Sequence, residues 1–395
     1  MRNVKLSKSG YNKLKSYSTE LKVSDLEDSV KSFLPGEWVI YFYEHEFFSG
    51  FINPMIDEKF PVGQVLSQIS KNDSLSFSPE VFISNKIVKA LNRRKVFNGY
   101  DQGSRLFYGI KDGLPGLIVD AFQNICLIQI NSAGVDRYRD EIKCELEKLL
   151  DKPCVLFDNK KYREKENLPI YESELSEDIK VMENELRYFL KKEVVQKIGF
   201  YYDHRENRRN LQRLIHDLNL PLSQGVDLFC YAGAWGINAL NAGVKHMDFV
   251  DQGDFDGTVM TNLKLNNFEG RGKFFRDNVF KFLDEAAQNN IKYDLILSDP
   301  PAFTKSISQK KEAIEGYQKL HRKVFKIASR GSICCFSSCT HYVDHHEFIQ
   351  TIVDAGKKEN KSIQLLYSGI QGWDHAISTL DEKASYIKSY FYYVE

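Results

Sequence analysis

The stretch Gly225-Val-Asp-Leu-Phe-Cys-Tyr-Ala-Gly-Ala-Trp-Gly-Ile-Asn-Ala-Leu-Asn-Ala242 decides the fold. Its first six residues read as a strand. Tyr231 to Gly236 break the pattern, and Ile237 to Ala242 read as a helix. A second strand ends in an acid, Met247-Asp-Phe-Val-Asp251. A third, Tyr293-Asp-Leu-Ile-Leu-Ser-Asp-Pro-Pro-Ala-Phe303, ends in a rigid Asp-Pro-Pro turn. Strand, glycine loop, helix and an acid at the next strand end form a nucleotide-binding βαβ unit. Gly233 and Gly236 are expected to let the backbone approach a ligand, and Asp251 can take two ribose hydroxyls. A dinucleotide fold wants Gly-x-Gly-x-x-Gly, but Tyr231 occupies the first glycine position. The glycine-lysine phosphate loop of nucleotide triphosphatases is missing as well.

The pattern Asp227-x-Phe229-x-x-x-Gly233-x-x-Gly236 resembles motif I of class I methyltransferases that use S-adenosylmethionine (SAM). Taken alone, it also describes a tight strand-to-helix turn in any α/β protein. Asp251 and the Asp299-Pro-Pro turn, each at a strand end, favour the ligand reading.

With 395 residues the chain is long enough for two or three domains, and 42% hydrophobic content supplies their cores. No apolar run approaches the roughly 20 residues of a membrane span. Met1-Arg-Asn-Val-Lys-Leu-Ser-Lys lacks an apolar signal core, so the expected location is the cytoplasm and no membrane partner is expected. Seven cysteines with no Cys-x-x-Cys pair argue against a disulfide framework or a metal site. Fifty-four basic and 54 acidic residues cancel, which disfavours broad nonspecific nucleic-acid binding while allowing local basic patches.

Three domains are expected. Residues 1–75 read as a small β-rich unit, with strands at Trp38–Tyr43 and Phe47–Ile52 and turns at Pro35-Gly36, Asn53-Pro54 and Pro61-Val-Gly63. Placed before a methyltransferase, this arrangement resembles a PUA-type RNA-binding domain. Residues 76–185 read as a central α/β domain. It has a basic amphipathic helix from Phe82, a helix from Val135 to Leu150, and strands near 106–110, 113–120, 125–130, 154–157 and 179–189. Glu164 to Glu177 reads as a solvated loop. Residues 186–395 alternate strands and helices as a Rossmann-like catalytic domain.

Ahead of motif I lies Val194-Val-Gln-Lys-Ile-Gly-Phe-Tyr-Tyr-Asp-His-Arg-Glu-Asn-Arg-Arg209. Asp203 is a plausible N-cap for a helix carrying Arg205, Arg208, Arg209 and Arg213, cations suited to a substrate backbone. A solvated charged face is the plainer alternative. Asp277-Asn278 can hold an adenine amino group or, more simply, cap the helix that follows, with Asp277 as the cap. In Asp299-Pro-Pro-Ala-Phe303 the prolines stiffen the loop. Asp299 and backbone carbonyls can accept from a base amino group, and Phe303 can stack on the base. That set serves methylation of an exocyclic amine and also the placing of a cytosine for methylation on carbon.

Gly331-Ser-Ile-Cys-Cys-Phe-Ser-Ser-Cys-Thr-His-Tyr-Val343 separates the two. Cys334 and Cys335 lie inside an apolar strand and read as buried packing. Cys339 stands at the strand end, where a parallel sheet presents its active site. Carbon 5 of cytosine becomes nucleophilic only after a thiolate adds to carbon 6, so Cys339 is the expected nucleophile.

Taken together, Gln196-Lys-Ile-Gly-Phe-Tyr-Tyr-Asp-His-Arg205, motif I, Asp299–Phe303, Ser338-Cys-Thr-His341 and Asp112-Gly-Leu-Pro-Gly-Leu-Ile-Val-Asp120 resemble the RlmI-type family. These are bacterial SAM-dependent methyltransferases that form 5-methylcytosine in large-subunit ribosomal RNA. The resemblance implies a PUA domain, a central domain and a Rossmann-like domain. It implies Cys339 and Asp299 as the catalytic pair. Phe229, Tyr231, Ala232, Gly233, Gly236, Asp251, Asp277 and Asn278 would surround SAM. Lys197, Phe200, Arg205, Pro300 and Phe303 would lie on the substrate side. The family tends to carry Gln at His204, Lys at Ala302 and Ser at Thr340, so this chain departs at three positions beside its motifs. Rival readings are methylation of a base nitrogen, with Cys339 a bystander, and an inactive RNA-binding assembly factor. The oligomeric state stays open, a homodimer being one option.

Overall fold

The computed structural model describes residues 1–395 except 58, 98–102, 174, 196–198, 305 and 378–384, and the side chain of Val194. The chain divides into two compact units, Met1–Glu177 and Asp178–Glu395.

The first unit holds two sheets. Strands β1 (Arg2–Lys5), β2 (Glu20–Leu21), β3 (Glu37–Tyr43), β4 (Glu46–Ile52) and β5 (Gly63–Ile69) pair in the order β1-β3-β4-β5-β2. All neighbours are antiparallel except β1 and β3. The expected hairpin is present as β3 and β4, in register from Glu37↔Ile52 to Tyr43↔Glu46. Strands β6 (Ser104–Tyr108), β7 (Leu117–Ala121), β8 (Cys126–Ile130) and β9 (Cys154–Leu156) form the second sheet. Trp38 and Phe51 from the first sheet pack into the core of the second, with Ile83, Ile87 and Leu91 of the helix Pro79–Lys95. The helix expected from Val135 to Leu150 is two, Ala133–Asp136 and Arg139–Leu150. The polar stretch from Glu164 begins inside a short helix, Lys160–Lys165, because buried Arg163 anchors it to Asp136 and Asp158. Asp112 of the Asp-Gly-Leu-Pro-Gly stretch is a buried turn residue. Its carboxylate receives both Arg94 guanidinium nitrogens at 2.6 Å and the Tyr108 N–H at 2.7 Å.

The second unit opens with a hairpin, β10 (Ile179–Glu183) and β11 (Leu186–Leu190). A single strand was expected over 179–189. Asn184 and Glu185 both take positive φ, 51° and 66°, the backbone of a tight two-residue turn. The expected boundary at 185/186 falls inside that turn, and both strands lie in the second unit.

The main sheet contains β12 (Gln224–Leu228), β13 (His246–Asp251), β14 (Gly272–Arg276), β15 (Tyr293–Ser298), β16 (Ala328–Ser338), β17 (Ile363–Gly369) and β18 (Lys388–Val394). Their order is β14-β13-β12-β15-β16-β18-β17. The first five are parallel, and β18 runs antiparallel to both its neighbours. Helices cross between successive parallel strands, so both faces are covered and the strands read as apolar runs such as Leu295-Ile-Leu297. Strand order reverses between β12 and β15. Ligands bind at such a switch point, outside the carboxyl ends of the strands.

Candidate active site

The loop after β12 is held in an uncommon conformation. Phe229 has φ 62°, Tyr231 φ 48° and Gly233 φ 76°. Left-handed backbone is unfavourable for an aromatic residue and survives where neighbours enforce it. Here the Cys230 N–H donates to the Val250 carbonyl at 3.2 Å, and the Gly233 N–H to the Cys230 carbonyl at 2.7 Å. Buried Asn262 donates to the Ala232 carbonyl at 3.0 Å, and its oxygen takes the Phe189 N–H at 2.7 Å, tying the loop to β11. Gly233 then caps the helix Ala234–Asn241.

Asp251 closes this loop from β13. One carboxylate oxygen accepts the Tyr231 N–H at 3.1 Å and the other the Gly253 N–H at 2.9 Å. A carboxylate has about four lone-pair sites, so two remain for ribose hydroxyls. Asp227 lies beneath, 1% exposed. Its Oδ2 accepts the Gly236 N–H at 2.8 Å, and its Oδ1 has no hydrogen-bond partner among the described residues. Burial pushes the Asp227 carboxyl up to about 8; the Gly236 N–H opposes this, and the charges of Asp299 and Asp251 add to it. An orphaned buried oxygen below a strained glycine loop, with a second acid offering free lone pairs, fits a nucleoside carrying an ammonium group such as SAM.

Gly236 has a different role from the one expected. A Cβ there would meet the Phe249 ring at 2.4 Å, so the missing side chain lets helix and sheet close on each other. Asn278, expected at the adenine, is the helix N-cap: its side-chain oxygen accepts from Phe280 and Lys281. The cap is therefore Asn278 and not Asp277. Asp277 sits beside the loop, its N–H donating to the Asp251 carbonyl at 3.1 Å and its carboxylate facing Lys281 at 3.2 Å.

Asp299 follows β15 and is gripped from two sides. Trp235 Nε1 donates to Oδ2 at 3.1 Å, and His204 Nε2 lies 3.4 Å from Oδ1. Burial lowers the His204 pKa while the adjacent Asp299 carboxylate raises it, leaving it above the ordinary value. Pro300, expected on the substrate side, is buried, and Pro301 is exposed. Phe303 stacks on Tyr317 with ring centroids 4.6 Å apart, so one face of the ring is already covered.

Cys339 is the first residue beyond β16, half-buried, while Cys334 and Cys335 lie fully inside the strand. Ser298 of β15 is in register with Phe336 of β16, so Asp299 and Cys339 emerge from adjacent parallel strands at the same sheet edge. Burial raises the pKa of the Tyr201 hydroxyl, and Tyr231, Asp203, Cys339 and Asp299 raise it further. Each of those groups is therefore within electrostatic reach of the Tyr201 hydroxyl. The Lys388 ammonium, itself buried, donates to the Thr340 carbonyl at 2.7 Å, one residue from Cys339.

The segment before motif I differs most from expectation. Lys197 lies outside the described residues. Phe200, expected against the substrate, is 3% exposed and packs on Tyr188, Tyr202 and the Arg208 guanidinium. Arg205 is also buried, with its guanidinium over the Tyr202 and Trp373 rings and Nε 3.9 Å from Asp374. Arg208 pairs with Glu183 at 2.6 and 2.8 Å. Half of the expected cationic face therefore points inward, and Arg209 and Arg213 are the exposed members. The residue before the helix Arg205–Leu218 is His204, without a side-chain cap; the Asp203 carboxylate instead accepts the Tyr386 hydroxyl at 2.8 Å.

Sequence reasoning gave no role to His204, Trp235, Asn262 or Lys388. A lysine in the aromatic run Tyr386-Ile-Lys-Ser-Tyr-Phe391 was a visible signal. The other residues are separated from their partners by tens of residues and left none.

The sheet order, the strained glycine loop and the acids at three strand ends define a class I SAM-dependent methyltransferase. Comparison with known proteins narrows this. A family model described as conserved hypothetical protein 95 matches residues 208–347. A Methanocaldococcus jannaschii protein, provisionally named a ribosomal RNA large subunit methyltransferase, is 30% identical over 324 residues, 80% of each chain. The ribosomal RNA large subunit methyltransferase I of Aliivibrio fischeri is 26% identical over 84% of this chain and 85% of its own. Two solved structures overlay on the whole chain at TM-score 0.76 and 19% identity. One is a Streptococcus mutans protein provisionally described as a SAM-dependent methyltransferase, and the other is complexed with SAH. The chain belongs to the RlmI-type family of SAM-dependent methyltransferases.

Proposed function

We propose that this chain transfers a methyl group from SAM to carbon 5 of a cytosine in large-subunit ribosomal RNA, with Cys339 as nucleophile. The observation that carries the reading is the half-buried Cys339 at the end of β16, beside Asp299 at the end of β15. SAM supplies an electrophilic methyl on a sulfonium. Asp227, Asp251 and the loop from Phe229 to Gly233 would hold it, with Asp277 at its edge. Asp299 accepts from the cytosine amino group and fixes the ring. The Cys339 thiolate adds to carbon 6, which makes carbon 5 enamine-like and able to take the methyl. A base then removes the carbon 5 proton, and the carbon–sulfur bond breaks to restore the ring and the thiolate.

The names of the relatives support large-subunit ribosomal RNA as the substrate class. Such an enzyme takes its base out of the stack. We read residues 1–75 as a PUA-like RNA-binding domain and the rest of the first unit, expected to end at 185 and ending at Glu177, as a central domain, both working with the catalytic one in the cytoplasm. The test is Cys339→Ala. Turnover should vanish while calorimetry still shows SAM binding. Continued 5-methylcytosine formation would remove Cys339 from the chemistry.

A further inference from the structure

His204 is 3% exposed and ends the single turn Tyr202–His204 that leads into the helix Arg205–Leu218. Its Nδ1 faces Asn207 Nδ2 at 3.2 Å, and its Nε2 faces Asp299 Oδ1 at 3.4 Å. The same Asn207 nitrogen donates to the Ile370 carbonyl at 3.1 Å. A carbonyl only accepts, so Ile370 fixes which end of the Asn207 amide turns this way. A Cβ at position 369 would collide with the Asn207 amide, so Gly369 leaves room for that side chain.

An amide nitrogen carries two protons and no available lone pair. One proton goes to Ile370, and the other points at His204 Nδ1, which must accept it. The neutral imidazole therefore carries its own proton on Nε2, aimed at Asp299. At 3.4 Å the bond is not yet formed, and Nε2 has no other hydrogen-bond partner among the described residues. Catalytic hydrogen bonds are often long in the free enzyme and tighten with substrate.

We propose that His204 is a positioning residue for Asp299, held by Asn207 in the Nε2–H tautomer. It donates to Oδ1 while Trp235 donates to Oδ2, and the remaining lone pairs of Asp299 are turned toward the amino group of the target base. This rests on the role given to Asp299 above. It extends that role by assigning the proton that orients the carboxylate. The groups facing the imidazole are Asp299, Trp235 and Asn207, with the charges of Asp203 and Arg208 next to them.

Two measurements on the full chain test it. In His204→Gln an amide N–H can stand where Nε2–H stood, and kcat should fall less than about fivefold. In His204→Leu the volume is kept and the donor lost, and kcat should fall roughly ten- to a hundredfold, with SAM affinity unchanged. Equal kcat values for the two variants would overturn the proposal. The second measurement needs no activity and no folded leucine variant. Long-range proton–nitrogen correlation of histidine-labelled protein should show His204 with a bare Nδ1 and a protonated Nε2. The chain has nine histidines, and loss of one signal in His204→Gln assigns it. A proton on Nδ1 with a bare Nε2 would also overturn the proposal. If the role of Asp299 is wrong, Asp299→Asn keeps full activity whichever tautomer is found, so the two failures are distinct.

Discussion

At the scale of single residues, the site depends on a few buried groups whose charge state follows from their surroundings. Asp227 illustrates the sign. Its folded pKa is raised to about 8, while an unfolded aspartate titrates near about 4. Between those values the folded chain keeps a proton that the unfolded chain releases, so this group's contribution to stability falls as pH rises through the window. Asp227→Asn is neutral throughout. The urea midpoint measured from pH 5 to pH 8 should decline less steeply in that variant; identical slopes would show that Asp227 is ionised in the folded chain. Phe200 makes the opposite kind of prediction. Its ring fills the space between Tyr188, Tyr202 and Arg208. Phe200→Ala should therefore cost about 3–5 kcal/mol of stability by denaturant titration. A variant of near-parental stability with a raised KM for RNA would restore Phe200 to the substrate side.

At the scale of elements, two joints carry the geometry. The first is the closure of the helix Ala234–Asn241 on β13 at Gly236. Gly236→Ala puts a methyl into the Phe249 ring and should destabilise by about 1–3 kcal/mol, with weaker SAM binding by calorimetry because the loop before the helix moves too. The second is the Arg94–Asp112 pair in the first unit, buried on both sides. Arg94→Met leaves a buried carboxylate and should cost about 3–5 kcal/mol in urea unfolding. A neutral result would mean that Arg93, whose Nη1 lies 3.2 Å from Asp112 Oδ1, and the Tyr108 N–H satisfy Asp112 alone. The β3–β4 hairpin and the strands at Gln224, His246 and Tyr293 were legible, because apolar runs bounded by turn residues carry their own signal. The β10–β11 hairpin was not. Asn184-Glu185 is a weaker turn signal than Asn-Gly, so the two strands read as one. The arginines of Arg205–Leu218 misled for a related reason. Composition shows their charge, and only the fold shows Glu183 and Asp374 waiting for Arg208 and Arg205.

At the scale of the whole molecule, the catalytic sheet was predictable in kind because each motif lies at a strand end, and parallel strands gather their ends on one edge. Cys339, Asp299 and Asp251 are 40 to 90 residues apart in sequence and were still assignable by that rule. Lys388, His204 and Asn262 were not, because their contacts depend on the antiparallel β18, on the segment before motif I and on the β11 edge, none of which a local pattern specifies. The central claim is the thiolate route to 5-methylcytosine, and one measurement bears on it most directly. Tritiated methyl from SAM is transferred to unmodified ribosomal RNA by the full chain, and the nucleosides are resolved by mass spectrometry. Labelled 5-methylcytosine is expected, absent with Cys339→Ala. A methylated purine, or 5-methylcytosine that persists in the Cys339 variant, would contradict it.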